Sequence, residues 1–215
     1  MARTKRESDS AMAGNVWEPR RQPSQQRARM TVEAILQAAR AVIVERGYAA
    51  ATTNYIAQAA GVSVGSLYQY FPRKEAIAAA MLEDAVLKAG AVLRERILGC
   101  MQLPLREGIP LIVRTILHLR QENAFFFMGL RREVPGLRQG SRNLTIESLL
   151  TSTTWAYFKQ HEEEIRVAEL ERGINMVRYL VAGAIDFYLE DPTPELSEDE
   201  LVEELSASVL RYLCD

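Results

Sequence analysis

The sequence predicts an all-α fold, and three features of its pattern carry that prediction. Apolar residues recur at spacings of three and four from Thr31 onward, the period of helices with one buried face. No segment shows sustained period-two alternation or a hairpin dipeptide between apolar runs, so strands are not expected. No repeat of roughly 20–50 residues is visible, which excludes a solenoid. The pattern divides the chain into a polar tail over 1–28, a small three-helix unit over 29–75 and a larger helical unit over 76–215.

Residues 1–28 are rich in Arg, Gln, Ser and Pro and lack apolar periodicity, the composition of a disordered tail. Ile35, Ala39, Val42 and Ile43 then describe a helix of about four turns, with Thr31 as N-cap and Gly47 as its stop. Thr52 and Thr53 open a short helix carrying Ile56, Ala57 and Ala60, which Gly61 ends. Ser63 caps a third helix, which Phe71-Pro72 terminates near Tyr70. A long helix follows from about Lys74, with Ile77, Met81, Ala85 and Val86 on one side.

Beyond Gly99, Leu105, Ile109, Ile112, Val113, Ile116 and Leu117 form another helix, with Pro110 expected in its first turn. Phe125, Phe126, Phe127 and Met128 continue or follow it until Pro135-Gly136 breaks the chain. Ile146, Leu149, Leu150, Thr153 and Tyr157 give the next. Leu170, Ile174, Val177, Val181, Ala184 and Tyr188 make the most regular stripe, and Leu201, Leu205, Val209 and Leu213 the last.

One segment carries chemistry. In TNYIAQAAGVSVGSLYQYFP, residues 53–72, two short helices are joined by a tight turn, and crossing them steeply makes specific steric demands. Ala57 supplies the small residue where the second helix presses on the first. Gly61 supplies positive φ in the turn. Ile56, Val62 and Leu67 fill the shared core. All the requirements are met together, which marks a helix-turn-helix. In such a unit the second helix enters the major groove of a duplex and presents its outer residues to base edges. Leu67 points inward, which leaves Val64, Gly65, Ser66, Tyr68, Gln69 and Tyr70 facing out. Gln69 suits a bidentate pair with adenine, and Ser66 can donate or accept. Thr53, Tyr70, Lys74 and the amides opening the fourth helix suit phosphate oxygens, and the cap Ser63 is counted with the DNA-binding candidates. Tyr68 is equally explained by packing on the preceding helix. Gly65 lets the backbone approach a partner closely.

Charge agrees with a polyanion partner at the front of the chain. Residues 1–75 carry 11 Lys or Arg against 6 Asp or Glu, whereas residues 76–215 carry 15 against 22. The tail's Arg20, Arg21, Arg27 and Arg29 suit a minor groove or phosphates, or serve only solubility.

Over residues 29–82 the chain resembles the amino-terminal domain of the TetR family of transcriptional regulators. The likeness rests on Gly47-Tyr48, Thr52-Thr53, Ile56-Ala57, Ala60-Gly61-Val62-Ser63, Ser66-Leu67-Tyr68, Tyr70-Phe71 and Lys74-Glu75. It implies a DNA-binding helix-turn-helix domain followed by a helical ligand-binding and dimerisation domain. It also implies a homodimer on a palindromic double-stranded DNA operator, usually a repressor released by a small molecule. Val64 departs from the family's frequent Lys or Arg, which makes contacts there apolar or absent. An activator, a regulator gated by a partner protein and an architectural DNA binder are the alternatives.

The helices near 165–189 and 197–213 are the expected dimer surfaces, each also owing one face to its own core. Between the middle helices an apolar or aromatic effector is expected, with Leu117, Phe125, Met128, Trp155, Phe158, Met176 and Tyr179 as wall and Arg114 and His118 as polar anchors. Plain core filling explains any one of these as well. No phosphate-binding loop, metal-ligand spacing or nucleophile setting is present, so no catalysis, cofactor or metal is expected. Cys100 and Cys214 are far apart and read as free thiols in a reducing cytoplasm. No signal peptide or membrane-spanning segment is recognisable.

Overall fold

The computed structural model describes residues 26–134, 146–191 and 195–215, and among these every regular element is helical. Helix α1 runs over Gln26–Ala50, α2 over Thr53–Ala59, α3 over Val64–Tyr70 and α4 over Lys74–Gly99. Then come α5 over Leu105–Glu122, a π-helical turn over Phe125–Leu130 and the short α6 over Arg131–Glu133. Helix α7 covers Ile146–Gln160, α8 Leu170–Glu190 and α9 Glu198–Cys214. The expected Pro135-Gly136 break, and Arg20 and Arg21 of the tail, lie outside the described residues.

The chain divides into two compact units. One holds residues up to 84 together with 128–143, the other residues 85–127 and 144–215. The division falls inside α4 instead of at its first residue, and it returns the segment after α5 to the first unit.

In the first unit, α1 buries Ile35, Ala39, Val42 and Ile43 as its periodicity requires. Its start differs from expectation. Thr31 is not a cap: its hydroxyl donates to the Arg27 carbonyl one turn back, and helical geometry begins at Gln26. A Thr hydroxyl satisfied this way is at home inside a helix, so the residue type alone did not mark the end. Gly47 breaks the helical dihedrals with φ 76°, as expected of a stop. α2 packs on α1 and α3 packs on α2, and Ile56, Ala57, Leu67 and Phe71 are fully enclosed. Val62 is only half-buried.

In the second unit, α5 packs against α8 and α9, and α7 and α9 pack against α8. Pro110 sits in the second turn of α5 and not in its first, so the Arg106 carbonyl lacks its usual intrahelical donor. Arg106 is exposed, where water can serve that carbonyl. Gly108 of α5 is a close-approach position: a β-carbon there would lie 2.2 Å from the Tyr157 hydroxyl oxygen of α7. α9 opens with a capping box in which Ser197 and Glu200 satisfy each other's backbone amides. That bonding to Ser197 also holds the Glu200 carboxyl below the usual carboxylate range. The stripes expected to face a second copy mostly face inward. Val177, Val181, Leu201, Leu205 and Val209 are buried within the unit.

Candidate nucleic-acid interface and effector cavity

The geometry of the reading unit begins with two caps and a glycine. The Thr52 hydroxyl accepts from the Tyr55 amide at 3.3 Å and starts α2. The Ser63 hydroxyl accepts from the Ser66 amide at 3.0 Å and lies 2.8 Å from the Ser66 hydroxyl, starting α3. Between them Gly61 takes φ 66°, and the Val62 amide donates to the Ala57 carbonyl at 3.0 Å. These short-range bonds turn α3 across α2 while Leu67 and Phe71 anchor its inner side.

The outer side of α3 is open. Val64, Gly65, Tyr68 and Gln69 are exposed, and Ser66 and Tyr70 half-buried. The Tyr68 hydroxyl lies 3.0 Å from the Thr53 hydroxyl, so Tyr68 is both tethered to α2 and exposed. Gly65 has no steric reason to be glycine: a β-carbon there would meet only the Ser63 hydroxyl, at 3.9 Å. Glycine inside a helix costs about 0.5–1 kcal/mol relative to alanine, a cost the unit's own packing does not explain.

Lys74 is engaged elsewhere. Its ammonium donates to the Tyr48 carbonyl at 2.7 Å and the Ala49 carbonyl at 3.3 Å, and sits 4.2 Å from the centre of the Tyr48 ring. A cation there satisfies the last carbonyls of α1 and opposes the negative end of its dipole. Glu133 serves the same corner by accepting from the Tyr48 amide at 3.0 Å. Burial pushes the Tyr48 phenol above the ordinary tyrosine range, and the Glu75 carboxylate pushes it further. Lys74 therefore holds the first unit together, a role hidden from sequence because its partners lie some 25 residues upstream. Arg27 and Arg29 stand exposed on the first turn of α1.

The second unit contains a cavity of about 380 Å³, within the size range of small-molecule sites. Leu93 and Ile97 of α4, Ile109, Ile112, Val113 and Ile116 of α5, and Val177 and Val181 of α8 form much of its apolar wall. Of the expected ligand residues, Trp155 and Phe158 line it. The others do not. Arg114 reaches Asp199 at 2.6 Å, and His118 is exposed. Leu117 is sealed in the core, and Phe125 lies on the π-helical turn outside the cavity wall. Met176 and Tyr179 stand on the outer face of α8. Met128 belongs to a helical stretch whose side chain is outside what is described. Periodicity gave the apolar faces of these helices but not which neighbour each face meets. Arg120, Thr151, Thr154, Glu171, Asn175 and Arg178 supply the polar lining that sequence reasoning missed.

With this geometry in view, residues 35–81 match the family model of bacterial regulatory proteins, tetR family. The "Fatty acid metabolism regulator protein" of Bacillus subtilis (strain 168) is 29% identical over 196 residues, spanning 83% of this chain and 91% of that protein. The chain is similar to proteins of the TetR family. The TetR-type fold extends through both units. A regulator from Mesorhizobium loti MAFF303099, described as TetR-family, superposes with TM-score 0.70 at 18% identity, covering 87% of this chain and 96% of that one. The fatty acid degradation regulator FadR of Bacillus halodurans gives 0.61 at 18% identity, covering 84% and 94%. The helix-turn-helix formed by α2 and α3 lies within the residues that match the family model. Among the described residues no helix is long and apolar enough to cross a membrane.

Proposed function

We propose that this TetR-family regulator is a cytoplasmic repressor, not an enzyme, that binds a palindromic operator as a homodimer and is released by a small apolar effector. The observation that carries the reading is the outer face of α3, which the unit's own fold leaves unused. Val64, Tyr68 and Gln69 are exposed there, and a β-carbon at Gly65 would meet nothing closer than the Ser63 hydroxyl at 3.9 Å. Gln69 is our candidate for base contact. Tyr70 and the tethered pair Thr53 and Tyr68 are our candidates for phosphate, with Ser66 between them and the Ser63 cap. We keep Lys74 as a support that positions α4 under α1, not as a direct contact.

The second copy docks, in this reading, on the outer face of α8. Met176, Tyr179, Leu180 and, two turns on, Phe187 share that face with Gly183 between them, and Phe187 is 78% exposed. That stripe is rotated from the buried one of Gly173, Val177, Val181 and Ile185. A dimer sets two reading helices at the spacing of one duplex turn, about 34 Å, which is what makes site choice specific. The cavity is our effector site. Its mostly aliphatic wall supports an aliphatic ligand, and so do the names of the two relatives concerned with fatty acids.

Selection of bound sequences from a random duplex pool should return a palindrome. In a mobility-shift assay on that sequence, Gln69→Ala and Tyr70→Phe should each weaken binding about 5- to 100-fold, the range of a lost base or phosphate contact. If both variants bind as the native protein does at physiological salt, α3 is not the reading helix.

A further inference from the structure

We infer that the cavity takes an amphiphile with an aliphatic tail and a single anionic head, and that Arg178 is the residue that reads the head. The inference rests on the cavity being the effector site. Branched aliphatic side chains supply most of its wall, and among the described residues Trp155, Tyr157 and Phe158 are its only aromatic members. Such a wall accommodates a flexible chain by apolar burial, without the paired flat faces that hold a planar ring.

The polar lining sets the head. Two arginines reach the cavity, and their situations differ. Arg120 is nearly enclosed and lies 3.2 Å from the Asp186 carboxylate, so its charge is already matched. Arg178 is half-buried and has no carboxylate partner among the described residues; its contact is the Tyr179 ring, 5.2 Å away. An arginine lining a largely apolar cavity without a counter-ion favours a ligand that brings one. Its planar fork matches a carboxylate in two parallel hydrogen bonds. Asn175, about one turn earlier on the same helix, adds an amide donor. Glu171, another turn earlier, also lines the cavity, about 10 Å along the helix from Arg178. Its negative charge repels an anion from that end and confines the head to Arg178.

Calorimetric titration of the full-length protein with decanoate, 1-decanol and decylamine, all below micellar concentration, tests this. The native protein should bind decanoate about tenfold tighter than decanol, and decylamine weakest. Arg178→Gln should weaken decanoate about tenfold and leave decanol within about twofold, while Arg178→Lys should keep part of the preference. Thermal melts of each variant beside the native protein check that the fold is kept. A native protein without preference among the three overturns the inference, as does an Arg178→Gln variant that weakens decanoate and decanol equally. Ala182→Trp, which fills the cavity from α8, separates this from failure of the site itself. If no probe binds, or if all three bind Ala182→Trp as they bind the native protein, the cavity is not the effector site and the inference falls with it.

Discussion

Helices α3 and α8 both present apolar residues to solvent, yet they stand under different obligations. α3 has seven residues, too few to persist alone, and is held by the Ser63 cap, the Gly61 turn and the enclosed Leu67 and Phe71, with Tyr68 tethered to Thr53. Val64, Gly65 and Gln69 are spared structural work. α8 has 21 residues and no idle face. Gly173, Val177, Val181 and Ile185 pack inward, Glu171, Ile174, Asn175 and Arg178 look onto the cavity, and Met176, Tyr179, Leu180 and Phe187 face outward. The difference teaches where function can change freely. On α3 the outward residues can be exchanged with little effect on stability. On α8 a substitution risks packing and, in the proposed reading, ligand binding and assembly together.

The largest expected effect breaks α3 at its anchor. Leu67→Ala should destabilise the protein by about 2–5 kcal/mol in chemical denaturation, because the side chain is completely enclosed. Next, Phe187→Glu should weaken self-association by about 30-fold or more in sedimentation, the loss typical of a buried aromatic anchor, with a melting temperature that no longer rises with protein concentration. Unchanged association would return the outer face of α8 to ordinary surface.

The third effect is alkaline. Burial, then the nearby Cys100 and Glu164, push the Tyr157 phenol above the ordinary tyrosine range. A group raised on folding contributes stability that is complete below its unfolded value, near 10, and is lost as pH rises beyond it. Stability should therefore fall by up to about 1.4 kcal/mol per pH unit above that point. Tyr157→Phe should flatten the decline, read as denaturation midpoints across pH 9–11. It should also be neutral or mildly stabilising near pH 7, because the buried hydroxyl has no hydrogen-bond partner among the described residues.

The smallest effect is the most discriminating. Gly65→Ala should raise stability by about 0.5–1 kcal/mol, since its β-carbon makes only an ordinary contact with the Ser63 hydroxyl, and yet weaken operator binding. Tighter binding by that variant would mean that the helix backbone does not approach the duplex.

The reading unit was legible in sequence because its determinants are neighbours. Thr52, Ala57, Gly61, Ser63 and Leu67 act on one another within a few residues, and each residue type has one strong conformational reason to be where it is. The bonds of Lys74 to the end of α1 were not legible, because those carbonyls become its neighbours only after α1 and α4 have packed. The cavity was legible only in part. Periodicity marked α5, α7 and α8 as amphipathic, but α8 carries two apolar stripes, and of the more regular one Val177 and Val181 are buried within the unit. Which helix face meets which is decided by long-range packing, and that placed Trp155 and Phe158 on the cavity while sending Met176 and Tyr179 outside it.

The fit between Gly108 and Tyr157 dictates an order of evolutionary steps. The tyrosine oxygen fills the volume that a first side-chain carbon at 108 would need, whereas the ring carbon behind it would be 3.3 Å away, a contact that a slight shift of the ring relieves. A lineage gaining alanine at 108 before losing that oxygen crosses a fitness valley. One that passes first through phenylalanine at 157 does not. The two positions should therefore be inherited as a pair, with the aromatic one changing first.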